Sequence, residues 1–390
     1  MTAAFAGMLL AAGACSSTDD KASPAPTATT SAATTTPTTS PPTTTPPTTT
    51  TPARSEADRA LLTGILTSHH DAGEFVGARI ALLEPDGTTT EVAAGTATVD
   101  PASAPVDVNV PWGIGSVTKT FVAVVVLQLA EEGRIDLDAG ISAYVPDLAG
   151  ADRITPRELL QHTSGLNEYL NEPAVQADAQ RAWSPSELIA VAESKGRVGE
   201  PGGAHHYANT NYIVLGEIIE QVTGRSVADE VRTRIVEPLG LSHTSFVNGD
   251  EAPGYTVVDG AFVVPPPWDT SLGGAAGAMQ STDHDLLVFT KALMDGTLLS
   301  PESQAAMRAF VPGTDYSNFG IAHGYGLGLE EFSSDAITVI GHMGSGHAQS
   351  AFIGYDLNRG TAVVVTMNVE TPGPQAFMAM EALTAAAQTS

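Results

Sequence analysis

Two side chains that could form a nucleophile and its proton acceptor stand three residues apart in the segment GIGSVTKTF. Ser116 and Lys119 would project from the same face of a helix, within reach of each other. A serine hydroxyl becomes a strong nucleophile when a neighbouring base takes its proton, and a lysine can do this only when it is neutral. The apolar run after Lys119 would bury the amine and lower its pKa. The pair therefore predicts covalent catalysis by the serine, against the simpler interpretation of a capping serine beside a surface lysine.

A second candidate pair, Tyr207 and Asn209, follows the loop PGGAHH and precedes an apolar helical run. A phenol beside a buried ammonium is biased towards phenolate, so Tyr207 could relay protons to a leaving group. The amide of Asn209 contains a donor and an acceptor, which could orient a substrate amide and the lysine. In isolation, the two residues are better explained as a helix cap.

A third set, His342 and Gly344, comes after the strand-like run AITVIG. A strand that presents a polar side chain and then a residue without one can pair with the backbone of a substrate. The backbone N–H of Ser345 could then join that of Ser116 in binding a developing oxyanion. In isolation, a glycine-rich turn with a capping histidine explains this set.

Ser-x-x-Lys, Tyr-x-Asn and His-x-Gly, in this order, make up the motif triplet of the penicillin-recognising serine hydrolases. From about residue 57 to 387 the chain resembles the serine beta-lactamase-like, penicillin-binding family, in particular class C beta-lactamases and Streptomyces-type D-alanyl-D-alanine carboxypeptidases. Other segments that carry the likeness are HTSGL at 162–166, the stretch PGGAHHYANTNYIVLGEIIE, EPLGL at 237–241 and GYGLGL at 324–329.

The resemblance implies an acyl-enzyme mechanism with a role for each motif. Ser116 would be acylated, and Lys119 and Tyr207 would be the pair that shuttles protons. The substrate-positioning groups that it implies are Asn209, His342 and Gly344. Trp268 falls where some carboxypeptidase relatives have a cleft-lining tryptophan, although a position in the core explains it equally well.

One departure from the carboxypeptidase branch concerns the substrate. That branch carries arginines directly after its YGLGL stretch, where they can meet the terminal carboxylate of a peptide. Here Glu330 and Glu331 occupy these positions, and residues 309–358 contain no Lys or Arg. A carboxylate would be repelled there, so an ester, an amide or a D-amino-acid amide competes with a cell-wall D-Ala peptide as the substrate.

These observations predict an extracytoplasmic serine hydrolase that acts through an acyl-enzyme on a small-molecule or peptide substrate, such as one derived from peptidoglycan. The first expectation is D-alanyl-D-alanine carboxypeptidase-like or related amide and peptide hydrolysis. An esterase or a beta-lactamase of the same family is an alternative. A non-catalytic cell-envelope binding protein on this scaffold is another.

Helices and strands at both ends of the chain, with helices between them, predict an α+β sandwich closed by the two termini. The resemblance implies the beta-lactamase/transpeptidase-like form, an antiparallel sheet flanked by helices from both termini with a mostly helical inserted region. The expected elements are helices at 57–70, Val117–Glu131 and 374–387 and strands at Gly77–Leu83, Thr90–Thr98, Ala336–Gly341, Ala351–Tyr355 and Thr361–Asn368.

The N-terminal segment predicts export. Residues 1–14 are small and apolar, as is typical of a secretory signal peptide, and Cys15 directly after them resembles the lipidated residue of a bacterial lipobox. Residues 22–53 contain only Thr, Pro, Ala and Ser, which form no core and favour an extended chain. We therefore expect a signal peptide at 1–14, a lipidated cysteine and disordered linker at 15–54, and a hydrolase domain at 55–390 that is held at the cell envelope by lipid.

Composition and spacing argue against several other classes of protein. The net charge of −27 would repel nucleic acid and anionic membrane surfaces. A single cysteine permits no intrachain disulfide and no cysteine-based zinc site. The histidine pairs at 69–70 and 205–206 lack zinc-hydrolase spacing, and no serine lies in Gly-x-Ser-x-Gly. We expect no metal, no cofactor and no nucleic-acid partner, and we interpret His162 as a structural residue at a helix end.

Overall fold

The computed structural model describes residues 52–100, 102–247, 252–314, 321–371 and 373–388. The predicted signal peptide, Cys15 and nearly all of the predicted linker lie outside these residues and stay predictions. The segment Thr49–Ser390 forms one compact unit. None of the helices in the described part of the chain has the length and apolar character needed to cross a membrane.

Fourteen strands form one large sheet and two small ones within the described residues. In chain order they are β1 (Gly77–Leu83), β2 (Thr89–Gly95), β3 (Trp112–Gly113), β4 (Ser245–Phe246), β5 (Tyr255–Val258), β6 (Ala261–Val263), β7 (Met279–Ser281), β8 (Val311–Pro312), β9 (Ala322–Tyr325), β10 (Glu330–Ser333), β11 (Thr338–Gly346), β12 (Gln349–Asp356), β13 (Thr361–Met367) and β14 (Val369–Glu370). The large sheet is antiparallel and has the order β2-β1-β13-β12-β11-β10-β9-β8. The small sheets are β14-β5-β6 and β3-β7-β4.

The helices lie at both ends of the chain and between β3 and β8. They are α1 (Pro52–Asp71), α2 (Thr118–Glu131), α3 (Pro156–Leu160), α4 (Pro173–Gln176), α5 (Pro185–Ser194), α6 (Asn209–Thr223), α7 (Val227–Val231), α8 (Glu237–Leu239), α9 (Gly274–Gly277), α10 (Asp283–Met294), α11 (Pro301–Met307) and α12 (Pro374–Gln388). Single 3-10 turns occur at Gly115–Val117, Ile141–Ala143 and Thr270–Leu272, and a π-helical turn at Arg232–Val236.

Both faces of the large sheet are covered, because successive side chains of a strand point to opposite faces. In β13, Val363 and Val365 pack in one apolar core with the terminal helices α1 and α12. Ala362 and Val364 pack in the other core, which contains most of α2. Strands β1, β12 and β13 are therefore buried along their whole length. Each large apolar side chain buried in this way stabilises the fold by about 1.5–3 kcal/mol.

The α+β architecture expected from the sequence is confirmed, with terminal helices on the sheet and a largely helical insertion. The ends of two strands differ from the prediction by three residues or more. Strand β2 ends at Gly95, where a φ of 77° turns the chain. Strand β11 continues beyond Gly341 to Gly346, because its ladder with β12 extends to the pair Gly346–Gln349. Pairing with a neighbour thus extends a strand through a glycine-rich segment of weak local propensity.

Two glycines let the turn before α2 lie directly against β11. A Cβ at Gly344 would stand 2.0 Å from the carbonyl oxygen of Ile114. Gly115 has a φ of 49°, and a Cβ there would stand 2.6 Å from the carbonyl oxygen of Ser345. Glycine alone avoids both clashes and adopts this φ without strain. The 3-10 turn that contains Ser116 is thereby held against β11.

Candidate active site

The predicted nucleophile and base lie side by side where the 3-10 turn meets α2. Ser116 belongs to the turn and is partly exposed, whereas Lys119, in the first turn of α2, is completely buried. Lys119 Nζ lies 2.9 Å from Ser116 Oγ. The hydroxyl is thus open to a substrate while the amine is shielded from water.

Three acceptors surround the amine of Lys119. Besides Ser116 Oγ, Nζ contacts Asn209 Oδ1 and the carbonyl oxygen of Ala276, each at 2.8 Å. A neutral amine has two N–H bonds and one lone pair. When these N–H bonds donate to Asn209 and Ala276, the lone pair is left for the proton of Ser116.

The buried position of Lys119 makes its neutral form accessible. Burial lowers the pKa of Lys119 to about 7, although the carboxylates of Glu168 and Glu330 act to raise it. A substantial fraction of the amine is therefore neutral near pH 7. A general base is most effective when its pKa lies near the working pH, so Lys119 is suited to accept the proton of Ser116.

Tyr207 lies against the same pair. Its hydroxyl lies close enough to Ser116 for that serine to act on its pKa, and the centre of its ring lies 4.9 Å from Lys119 Nζ. Burial raises the pKa of Tyr207 well above its ordinary value, more than Ser116 lowers it. The phenolate expected from the sequence is therefore wrong, because burial outweighs the nearby amine. As a phenol, Tyr207 is suited to donate a proton to a leaving group.

Asn209 is held by a carboxylate that no motif in the sequence indicated. Glu168 Oε2 accepts from the backbone N–H of Asn209 at 2.7 Å and from its Nδ2 at 3.0 Å. These two bonds turn the amide oxygen of Asn209 towards Lys119. Glu168 follows the HTSGL segment closely, but only the fold brings it to the start of α6, so no local pattern singles it out.

His342 lies inside the protein and not on the surface of the cleft. Its ring is completely buried, with Nε2 at 2.8 Å from the hydroxyl of Tyr325 and Nδ1 at 2.7 Å from the carbonyl oxygen of Met343. Because both ring nitrogens are already occupied, the geometry does not support the direct substrate contact expected from the sequence. The imidazole instead belongs to the support beneath β11.

The main chain of β11 next to Ser116 is where the predicted oxyanion donor lies. A Cβ on Gly115 would fall 2.6 Å from the carbonyl oxygen of Ser345 and 2.8 Å from the nitrogen of Gly346. The paired residues of β10 and β11 extend only from Ser333–Thr338 to Glu330–Gly341, so this end of β11 is beyond that ladder. The part of the Ser345 N–H in binding an oxyanion stays a prediction.

The position of Glu330 after GYGLGL suggested a negative charge in the open cleft. The structure places this residue elsewhere. Its carboxylate is buried, accepts from the backbone N–H of Met343 at 2.6 Å, and lies 3.7 Å from His342 Nδ1 and 3.4 Å from His323 Nε2. Burial acts to raise its pKa, but the two histidines and the N–H of Met343 lower it overall. Glu330 therefore holds β11 from beneath and does not repel a substrate directly.

Trp268 lines a small open pocket beside the nucleophile, with a cavity volume of about 20 Å³. The other walls of this pocket include Gly115 and Gly346, the neighbours of Ser116 and Ser345. The indole is half-buried and stacks on the ring of His347, with centroids 5.1 Å apart. Trp268 therefore lies where a substrate side chain could contact it, and it also packs against the larger core.

His162 lies just after α3 and carries a φ of 59°, which is uncommon outside glycine. Its buried ring stacks beneath the ring of Tyr207, with centroids 4.2 Å apart. Burial lowers its pKa well below the ordinary value, so the ring is neutral.

Within the described residues, no group of three or more His, Cys, Asp or Glu side chains is placed to hold a metal ion.

The sequence model of the Beta-lactamase family matches residues 62–388. The chain belongs to the beta-lactamase family. Penicillin-binding protein 4 of Amycolatopsis lactamdurans is 30% identical over 308 residues, which cover 74% of this chain and 78% of that protein. The Bacillus subtilis (strain 168) protein PbpX is 31% identical over 245 residues, 58% of this chain and 60% of PbpX. The chain thus spans less than two thirds of the length of PbpX.

A solved structure with the same fold is the D-amino acid amidase of Ochrobactrum anthropi SV3, in complex with L-phenylalanine amide. It superposes with a TM-score of 0.77 at 27% identity, covering 85% of this chain and 99% of the amidase. The beta-lactamase/transpeptidase-like fold and the family resemblance seen in the sequence are confirmed. The chain is thus related to the serine hydrolases of the beta-lactamase family.

Proposed function

We propose that this protein is a serine hydrolase that cleaves amide or ester bonds of D-amino-acid derivatives through an acyl-enzyme on Ser116. The observation that carries the proposal is the 2.9 Å contact between the buried Lys119 Nζ and the accessible Ser116 Oγ. The Tyr207 hydroxyl, which lies close to the same serine, adds a proton donor on the side of the leaving group.

In acylation, Ser116 Oγ forms a bond with the carbonyl carbon while its proton passes to Lys119 Nζ. The carbonyl oxygen becomes an oxyanion, stabilised by the N–H groups of Ser116 and Ser345, and such donors contribute about 3–4 kcal/mol each. Tyr207 then protonates the leaving amine or alcohol as its bond to carbon breaks, and Lys119 returns a proton to Tyr207. Water attacks the ester in deacylation, and the same groups move protons in the reverse direction.

The choice of substrate rests on the charges that are present. Residues 309–358 contain no Lys or Arg, and the buried Glu330 lies within 4 Å of His342 and His323. This segment therefore offers no arginine to bind the terminal carboxylate of a D-Ala-D-Ala peptide. The D-amino acid amidase, which shares the fold, is named for a substrate without a carboxylate at the cleaved bond. D-amino-acid amides, and esters after them, are thus better supported than carboxypeptidase or beta-lactam substrates.

A substrate panel tests the proposal. The protein is assayed with D- and L-phenylalanine amides, D-alanine nitroanilide, a nitrophenyl ester, a D-Ala-D-Ala peptide and a chromogenic cephalosporin. We expect turnover of the D-amides and of the ester, with D preferred over L. Faster release of D-Ala from the D-Ala-D-Ala peptide than hydrolysis of the amides and the ester would support a carboxypeptidase instead. A failure of every substrate and of a phosphonate to add mass to the protein would favour the non-catalytic binding protein.

We also propose that the enzyme acts outside the cytoplasmic membrane, anchored through lipid on Cys15. The support is the apolar 1–14 segment directly before this cysteine and the Thr/Pro-rich segment after it. Cys15→Ala should move the protein from the membrane fraction to the soluble fraction of bacterial cells that express the full chain. An unchanged membrane fraction would contradict lipidation.

A further inference from the structure

We infer that Tyr325 is a positioning residue of this active site, whose hydroxyl group bridges the histidine beneath Tyr207 and the histidine beneath β11. The inference rests on the proposed function for its effect on catalysis. Its structural content, one hydroxyl joining His162 to His342 and setting the tautomer of each, can be measured without any substrate.

Tyr325 is well placed to act as a fixed point. It is the last residue of β9 and is completely buried, and its backbone is paired with Glu330 of β10 and with Val311 of β8. Its hydroxyl oxygen lies 3.2 Å from His162 Nε2 and 2.8 Å from His342 Nε2. One hydroxyl therefore contacts two histidines that are 180 positions apart in the chain.

The surroundings of His162 determine which of its nitrogens carries the proton. Nδ1 accepts from Asn211 Nδ2 at 2.9 Å and from the backbone N–H of Ala208 at 3.3 Å. The amide orientation of Asn211 is set in turn, because Nδ2 also donates to the carbonyl oxygen of Ala208. A neutral imidazole has one donor and one acceptor, so Nε2 of His162 carries the proton and donates to the oxygen of Tyr325.

The surroundings of His342 determine the opposite tautomer. Its Nδ1 lies 2.7 Å from the carbonyl oxygen of Met343, which can only accept, so Nδ1 carries the proton. Nε2 of His342 is then an acceptor for the hydroxyl proton of Tyr325. His162 therefore donates a hydrogen bond to the hydroxyl of Tyr325, and this hydroxyl donates one to His342.

Both ends of this bridge support groups that act on the substrate. The ring of His162 stacks beneath Tyr207, at 4.2 Å between centroids, and the centre of the Tyr207 ring lies 4.9 Å from Lys119 Nζ. His342 belongs to β11, the strand that contains the predicted oxyanion donor Ser345. Without the hydroxyl, a buried donor on one histidine and a buried acceptor on the other would both lose their partner. Tyr207 and strand β11 would then no longer be held in a fixed position relative to each other.

The test replaces Tyr325 with phenylalanine, which keeps the ring and removes the bridge. Tyr169→Phe is the matched control, because Tyr169 is equally buried and its hydroxyl bonds only the carbonyl oxygen of Leu272 among the contacts described. With a D-amino-acid nitroanilide, we expect Tyr325→Phe to lower kcat by between about 10- and 100-fold, as a loss of alignment does, with KM changed less than about threefold. Tyr169→Phe should leave both constants near those of the unaltered protein.

Nitrogen-15 NMR measures the chemical shifts of the histidine ring nitrogens, which would not change if Tyr325 only filled space in the core. In the unaltered protein we expect the proton on Nε2 of His162 and on Nδ1 of His342. Tyr325→Phe should shift the Nε2 resonances of both rings, and Tyr169→Phe should shift neither. The opposite tautomer on either ring would overturn the inference, even if the variant failed to fold.

The two proposals fail in different ways. A protein that forms no acyl-enzyme overturns the proposed function, while the NMR spectra still test the bridge. A protein that acylates normally, and whose kcat and histidine resonances are unchanged by Tyr325→Phe, overturns the bridge alone.

Discussion

Ser116→Ala is expected to lower kcat by about 10⁴- to 10⁶-fold, because no other group can form the acyl-enzyme and only binding and oxyanion stabilisation would be left. Ser116 is partly exposed, and the hydrogen bond described for its hydroxyl is the one with the catalytic Lys119. The thermal melting temperature should therefore change little. Steady-state kinetics with a D-amino-acid nitroanilide measures the loss, and intact mass after exposure to a fluorophosphonate measures the adduct.

Ser186→Ala is a control for this substitution. Ser186 is exposed in the first turn of α5, and the contact described for its hydroxyl is with Ser184 Oγ. We expect Ser186→Ala to retain full turnover and a single phosphonate adduct, and Ser116→Ala to acquire none. Turnover by Ser116→Ala within tenfold of the unaltered protein would remove this serine from its role.

Substitution of Lys119 has the second largest expected effect. Lys119→Met and Lys119→Arg should each lower kcat/KM by about 10²- to 10⁴-fold, the range of general-base catalysis. The arginine variant is the sharper of the two, since a guanidinium keeps the positive charge but does not give up a proton at any relevant pH. If Lys119 served only as a positive charge, Lys119→Arg would retain much of the activity.

The pH dependence provides a measurement on the unaltered lysine. Burial lowers the pKa of Lys119 to about 7, and only the neutral amine accepts the proton of Ser116. kcat/KM should therefore rise with pH and level off above about 7, and fall about tenfold per unit below it. A profile that is flat between pH 5 and pH 9 would contradict a base of this kind.

Substitution of Glu168 should shift the pH dependence of kcat/KM in a defined direction. Its carboxylate acts to raise the pKa of Lys119, so Glu168→Gln should move the acid limb to lower pH while an oxygen is kept for Asn209. Glu172→Gln is the matched control, because Glu172 pairs at the surface with Lys195. An acid limb that moves in neither variant would show that Glu168 does not set the charge of Lys119.

Much of the fold followed from local patterns in the chain. The strand-like runs Gly77–Leu83 and Thr361–Asn368 predicted strands that are present as β1 and β13, and the apolar run after Lys119 predicted the buried helix α2. Helices at both termini were expected and are present as α1 and α12. The end of β11 was not predicted, because His342–Gly346 has little strand propensity and is held by its pairing with β12.

The sequence by itself determined the family and the contact between Ser116 and Lys119, since a spacing of three on a helix brings two side chains together wherever the helix lies. Only the tertiary structure decided what surrounds that pair. Glu168 reaches Asn209, Glu330 lies beneath β11, and His342 is closed off from the cleft through packing between segments far apart in the chain. The sequence predicted the lowered pKa of Lys119 but the wrong protonation state of Tyr207, because a pKa depends on burial and on neighbouring charges that only the folded protein brings together.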